Sequence, residues 1–423
     1  MRSKQVLCVD LGSAYTKVAL REDWNGTAEL IRDLPQADSE TTFCIPSLLA
    51  KVRRGGKVHW LSGADAATQR NSDDVKLVTN WKEVFFSQMP NAEVDAFEAA
   101  SEFFRQLPSI LAQGSRGIDA KKYPVRVCIP KLEEVTDGED RISEVLEHVG
   151  WKSAPDCPTV YEPEANALGV FSRGKNATWE PSRGTGRSSP GRSFMLAKMF
   201  EDEVFRKYER IHGSFSTLAI DIGAYTTDFG LVRFDTSFSE KWTIPEVLQE
   251  SVKLGIGELD QAVQMLLSRS ARETVQRSNA REWDSRKQLL YSGNEAALLD
   301  DLGKQVIVGR GTERQQIDGA IETFAARVIA AGKKFLAGKG ERRIDFLTIT
   351  GGGAMIPALR SAVFSSFPAT SRRIDLLDRH EAARSTPVVN GRRDQRAVDA
   401  RARLNRDLMR GGSAVGGTSV FFR

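Results

Sequence analysis

The chain has 423 residues, 40% of them hydrophobic, enough for a large core, and its length suggests about two to three domains. Its 60 basic and 56 acidic side chains leave a formal charge of +4, so no strong field for nucleic acid or a membrane surface follows. No run is long enough to span a bilayer, and Met1-Arg2-Ser3-Lys4-Gln5 lacks the apolar stretch of a signal peptide, so a soluble cytoplasmic protein is expected.

Cys8-Val9-Asp10-Leu11-Gly12-Ser13-Ala14-Tyr15-Thr16-Lys17 opens with an apolar strand, turns on Asp-x-Gly with small and hydroxyl residues, and enters a second strand. This reads as a β-hairpin with its tip toward a ligand: glycine lets backbone approach a phosphate, and turn N–H groups can point at its oxygens. The Asp ending the strand suits a magnesium ion, held directly or through water. Residues 35–121 read as a smaller insertion, with a strand near 57–61 and a helix near 92–107, and a buried strand resumes at 123–130. Cys8, Cys44, Cys128 and Cys157 show no CxxC pairing, so reduced buried thiols are expected rather than a zinc site. At Val160-Tyr161-Glu162-Pro163 an acidic residue precedes a helix opened by proline. Residues 172–193, rich in Ser, Gly, Arg and Pro, should be a flexible surface loop, followed by a charged helical stretch at 196–211. That insertion is either decorative or functional.

The second half begins near Phe215, and Ala219-Ile220-Asp221-Ile222-Gly223-Ala224-Tyr225-Thr226-Thr227-Asp228 repeats the hairpin pattern. Two copies in one chain predict two similar lobes facing one ligand. Residues 251–310 read as an outer subdomain, and Thr312-Glu313-Arg314-Gln315 is a capping-box pattern opening a long amphipathic helix to Leu336. Phe346-Leu347-Thr348-Ile349-Thr350-Gly351-Gly352-Gly353-Ala354-Met355-Ile356-Pro357 runs as strand, glycine turn and helix start. Residues 370–410 carry paired arginines, Arg372, Arg373, Arg392 and Arg393; interspersed Asp375, Asp378, Asp394 and Asp399 favour a solvated surface over a nucleic-acid arm.

These segments together resemble the actin-like ATPase superfamily, which includes actin, sugar kinases and DnaK-type heat-shock chaperones. The hairpins resemble its two phosphate loops, residues 346–357 its adenosine motif, and residues 160–169 its connecting segment. Ile45-Pro46-Ser47, residues 61–67 and Leu254-Gly255-Ile256-Gly257-Glu258-Leu259-Asp260 are similar to the DnaK branch, whose catalytic lysine falls where residues 78–85 lie. The resemblance covers nearly the whole chain. It implies an α/β fold of two lobes, each a mixed five-stranded, ribonuclease-H-like sheet with helices, plus two smaller inserted subdomains. The implied division is a first lobe at 1–172 with its outer part at 35–121, an insertion at 173–212, a second lobe at 213–384 with its outer part at 251–310, and a return to the first lobe at 385–423.

By that resemblance Asp10 and Asp221 hold the water shell of Mg2+, and Glu162 assists. Gly12, Ser13, Gly223 and Thr226 cradle the β- and γ-phosphates of ATP, Asp228 supports the second loop, and Gly351, Gly352 and Gly353 take the adenosine. Arg286 and Lys287 match cations over the adenine face, although a solvated helix face explains them about as well. Lys82 either orients the attacking water or is a solvated residue ahead of Val84 and Phe85. Lys17 is actin's habit, a phosphate contact that the DnaK branch lacks. The implied activity is slow, magnesium-dependent ATP hydrolysis in a chaperone-type switch whose ATP or ADP state another protein chain reads. By the same resemblance, an ATPase domain standing without a peptide-binding domain is expected. Self-association into actin-like filaments is the first alternative and a small-molecule kinase the second.

Overall fold

Val6–Leu11 (β1) is apolar except for Asp10 and is buried at every position, as expected of a strand covered on both faces. The structure, a computed structural model, describes residues 5–21, 29–37, 42–87, 95–155, 158–167, 214–235, 246–299, 303–341, 344–367, 372–374, 388–389 and 392–393. The architecture is mixed α/β. β1 pairs antiparallel with Tyr15–Arg21 (β2), which pairs with Glu29–Leu30 (β3) and, separately, with Ile45–Pro46 (β4). A small three-stranded sheet follows, made by Leu49–Arg54 (β5), Lys57–Ser62 (β6) and Val75–Val78 (β7). Val125–Ile129 (β8) then lies parallel to β1, and Thr159–Tyr161 (β9) parallel to β8.

The second half builds the same arrangement. Ser214–Ile222 (β10) pairs antiparallel with Thr227–Asp235 (β11), and β11 with Glu246–Val252 (β12). After the hairpin of Ala296–Leu299 (β13) and Gln305–Val308 (β14), Phe346–Thr350 (β15) lies parallel to β10 and Arg372–Ile374 (β16) parallel to β15. The orders are β3-β2-β1-β8-β9 and β12-β11-β10-β15-β16. One topology therefore occurs twice, with each Asp-x-Gly hairpin leaving the central strand. The first sheet has six strands rather than the expected five, because β4 adds to β2 beside the hairpin tip, at Tyr15↔Pro46 and Thr16↔Ile45. Pro46 has no N–H to donate and is tolerated on such an edge.

Of the region expected as an insertion at 35–121, the β5–β7 sheet packs on its own small cluster of Leu48, Ala50, Val52, Ala66 and Ala67. The helix Ala96–Gln113 instead buries Phe103, Phe104 and Leu107 in the same cluster as Leu7, Val9 and Val18. It starts at Ala96, not near residue 92, because the Asp95 carboxylate accepts the Glu98 N–H at 2.9 Å and caps it. In the second half, helices Ile256–Leu266, Arg269–Arg277 and Ala280–Tyr291 lie within 251–310. The long helix Gly311–Gly338 stacks Phe335 on Phe229 of β11, with ring centres 5.7 Å apart. The capping box expected at Thr312 does not form. Arg310 takes the N-cap position, and the Glu313 carboxylate accepts the Gly309 N–H at 2.6 Å.

Cys8 and Cys128 face each other as buried thiols, sulfurs 3.5 Å apart across β1 and β8, and Cys44 is also buried. Cys157, the insertion at 173–212 and most of 385–423 lie outside the described residues. Arg372 and Arg373 sit in β16, and Arg392–Arg393 pairs with Val388–Val389. Among the described residues no helix is long and apolar enough to cross a membrane.

Candidate functional site

The two central strands end in equivalent carboxylates that meet different partners. In register, Asp10 stands opposite Lys17 and Asp221 opposite Asp228. Residues paired this way have side chains close enough to decide each other's charge. Each hairpin tip closes tightly, with the Gly12 N–H donating to Asp10 O at 3.1 Å and the Gly223 N–H to Thr226 O at 2.9 Å. A Cβ at Gly12 would lie 2.3 Å from Tyr15 O, so the first turn requires glycine.

In the first hairpin Lys17 Nζ reaches Asp10 Oδ2 at 2.8 Å, and Asp10 is only 3% exposed. Burial alone would lower the lysine, but Asp10, with Cys44 and Asp221, holds the ammonium above the usual lysine range. In the second hairpin Asp228 takes the place of Lys17. Burial, then Glu162 and Asp221, push its carboxyl well above the usual range, against the Ser251 hydroxyl that donates to it. Thr226, read as a phosphate contact, turns its buried hydroxyl onto Asp228 at 3.2 Å. Ser13 stays half-exposed at the first tip.

Lys82 and Glu162 form a buried ion pair at 2.6 Å, the lysine 3% exposed. That removes the solvated reading of Lys82. Its helix, Trp81–Phe85, is anchored by the buried Trp81 and Phe85, and Glu162 follows β9 at the start of helical residues 162–167. Burial raises the Glu162 carboxyl; Lys82 opposes this and Asp10 adds to it. Beside Lys82, burial pushes Glu83 up to about 7, with Lys82 opposing. Lys17 feels Asp221, Asp228 feels Glu162, and Glu162 feels Asp10 and Lys17. Asp10 and Lys17 from the first sheet, Asp221 and Asp228 from the second, and Lys82 and Glu162 from helical segments thus share one electrostatic neighbourhood.

The glycine turn after β15 backs the second hairpin. Gly351 has φ 83°, and a Cβ there would lie 2.1 Å from Asp221 Oδ1. A Cβ at Gly353 would lie 2.4 Å from Ile222 Cγ2, whereas Gly352 faces open space. Two of the three expected adenosine glycines therefore seat the strand that carries Asp221. Asn166, in the segment after Glu162, donates to Thr350 Oγ1 at 2.5 Å and ties that segment to β15.

Lys287, expected over a base, is committed to Asp260 at 2.9 Å and Asp284 at 2.6 Å. Tyr15 at the first hairpin donates to Asp284 at 2.5 Å, and Arg70 pairs with Glu282 at 3.1 Å, so helix Ala280–Tyr291 meets the first half of the chain. Arg286 is half-exposed and makes no ion pair among the described residues. The reading of the sequence missed Tyr15, Ser47 and Ser251; Ser47 and Ser251 stand close to motifs, but their partners are 23 to 35 residues away.

Among the described residues no three His, Cys, Asp or Glu side chains converge as a metal cage. The chain matches no protein-family model, and no curated protein matches it.

Proposed function

We propose that this chain is a slowly hydrolysing ATPase switch of the actin-like type, nearest to a DnaK-type ATPase domain, with ATP or ADP held between its two hairpins. The observation that carries the reading is the doubled sheet order, which gives two equivalent Asp-x-Gly hairpins, and the charges of both hairpins and of the Lys82–Glu162 pair act on one another. In this reading the sheets are the cores of two ribonuclease-H-like lobes.

The donor set suits magnesium. This ion keeps several waters and uses one or two carboxylates plus substrate phosphates, which Asp10 and Asp221 can supply. Asp10 and Asp221 would hold its water shell, Asp10 keeping one oxygen for Lys17. The ion, when bound, neutralises phosphate charge. Lys17 meets the phosphates in the ground state, and Lys82, positioned by Glu162, orients the attacking water and stabilises charge on the γ-phosphoryl group. Gly352, facing open space, is the adenosine contact of its turn. The nucleotide state is read by another protein chain, which must prefer the ATP or the ADP form to respond to it.

ATP binding and phosphate release by the full chain, with and without magnesium, test this. Saturable binding and slow, magnesium-dependent release are expected; a chain that takes no nucleotide ends the reading. The Lys17–Asp10 pair favours a second reading, an actin-like filament, for which ATP-dependent, concentration-dependent sedimentation is the discriminating measurement.

A further inference from the structure

Ser47 follows β4 and is 4% exposed, yet its polar functions are all engaged. Its hydroxyl donates to Gly12 O at 2.5 Å, and its N–H donates to Ala14 O at 2.9 Å. Thr16 Oγ1 lies 2.8 Å from Ser47 Oγ, and because the serine has one proton, already given to Gly12, Thr16 is the donor. The Trp81 indole N–H donates to Ser47 O at 3.0 Å and holds the residue in place. Three of the four bonds fall on the first hairpin, two of them at its tip.

The consequence follows from peptide planarity. The described chain has no cis peptide, so in the unit joining Gly12 to Ser13 the carbonyl and the N–H point in opposite directions. Pinning Gly12 O onto Ser47 therefore turns the Ser13 N–H away from Ser47. Among the described residues that N–H meets no backbone acceptor, and Ser13 is half-exposed. The second hairpin has the same device in another material. Gly223 O accepts from the Ile256 N–H at 2.9 Å and Ala224 O from the Gly257 N–H at 2.8 Å. Both equivalent glycine carbonyls are pinned from behind, one by a side chain and the other by backbone.

We propose that Ser47 is a positioning residue that holds the first hairpin's tip peptide in one orientation, aiming the Ser13 N–H as a donor to a phosphate oxygen. This rests on the nucleotide reading above. Without the hydroxyl the Gly12–Ser13 peptide is free to rotate, and the donor is no longer preorganised.

The test is calorimetric titration of the full chain with MgATP for wild type, Ser47→Ala and Ser47→Thr, with thermal melting of each. Loss of one preorganised donor to a charged group predicts about tenfold weaker binding in Ser47→Ala. Threonine keeps the hydroxyl and should return affinity to within about threefold of wild type, a rescue that a purely structural role would not produce. Wild-type affinity in Ser47→Ala overturns the proposal. So does an equal loss in Ser47→Ala and Ser47→Thr. If Ser47→Ala does not fold, Thr16→Val replaces it: removing the donor that directs the serine proton toward Gly12 predicts about threefold weaker binding, and no change overturns the proposal. A wild-type chain that binds no MgATP defeats the nucleotide reading itself and the Ser47 role with it. A binding wild type with an unaffected Ser47→Ala defeats only the latter.

Discussion

The two hairpins share a backbone and differ in charge. Each leaves a central strand, carries a carboxylate before an x-Gly turn and has its glycine carbonyl pinned from behind. Across the hairpin, however, Asp10 meets a lysine, and Asp221 meets a second carboxylate buried to 3% exposure. The first hairpin is internally neutralised. The second leaves Asp228 with a raised carboxyl, held by Thr226 and Ser251 hydroxyls instead of a cation. A repeated fold thus delivers the same geometry twice while side chains at one register position divide the electrostatic roles.

The largest expected effect tests whether the hairpins act as a pair. On the proposed reading, Asp10→Ala and Asp221→Ala should each lower ATP hydrolysis by about a hundredfold, since each would remove a charge that orders the cation. Near-normal turnover in Asp221→Ala would break the equivalence. Next comes the backing of the second hairpin. Gly351→Ala puts a methyl 2.1 Å from Asp221 Oδ1 at a φ of 83°, so it should destabilise by at least about 1–2 kcal/mol and displace that carboxylate. Gly352→Ala, facing open space, should melt within about 1 °C of wild type, because surface changes of this kind cost little. Equal melting of the two variants would show that the turn does not seat Asp221.

The lysines sharpen the division of roles. Lys17→Ala should weaken ATP binding by about tenfold, as a ground-state phosphate contact would, whereas Lys82→Ala should lower turnover with little change in affinity. Titrations and single-turnover rates on both variants decide it, and the reverse pattern would exchange the assignments. The smallest effect is on stability. Asp228 binds its proton more tightly folded than unfolded, so the stability this contributes is present at and below its ordinary value of 3.8 and is lost as pH rises through the raised folded value. Asp228→Asn, neutral throughout, should therefore melt above wild type by about 2 °C at alkaline pH, with the gap closing on acidification. A gap independent of pH would place the proton elsewhere.

Much of this was legible from local pattern. Apolar runs before Asp-x-Gly marked both hairpins, and the strand, glycine turn and helix at 346–357 fell where expected, because period and turn chemistry are written in consecutive residues. What was hidden depended on contacts between distant residues. Lys82 could be read as solvated until its helix brought it to Glu162, 80 residues on. Lys287 looked like a base contact, but Asp260, 27 residues earlier, claims it. The Thr312 capping box had the right letters, and the helix starts at Gly311 with Glu313 reaching back to Gly309 instead. Ser47 stood in the Ile45-Pro46-Ser47 motif, but its role was hidden because its hydroxyl's partners lie 31 and 35 residues before it.

On the proposed reading both hairpins hold one magnesium–nucleotide unit. The most direct test of this is the stoichiometry and magnesium dependence of ATP binding to the full chain, compared with Asp10→Asn and Asp221→Asn. One ATP per chain is predicted, with binding strengthened by magnesium in wild type and that strengthening lost in both variants. Magnesium-dependent binding that survives either replacement, or no ATP binding by the wild-type chain, would contradict the account.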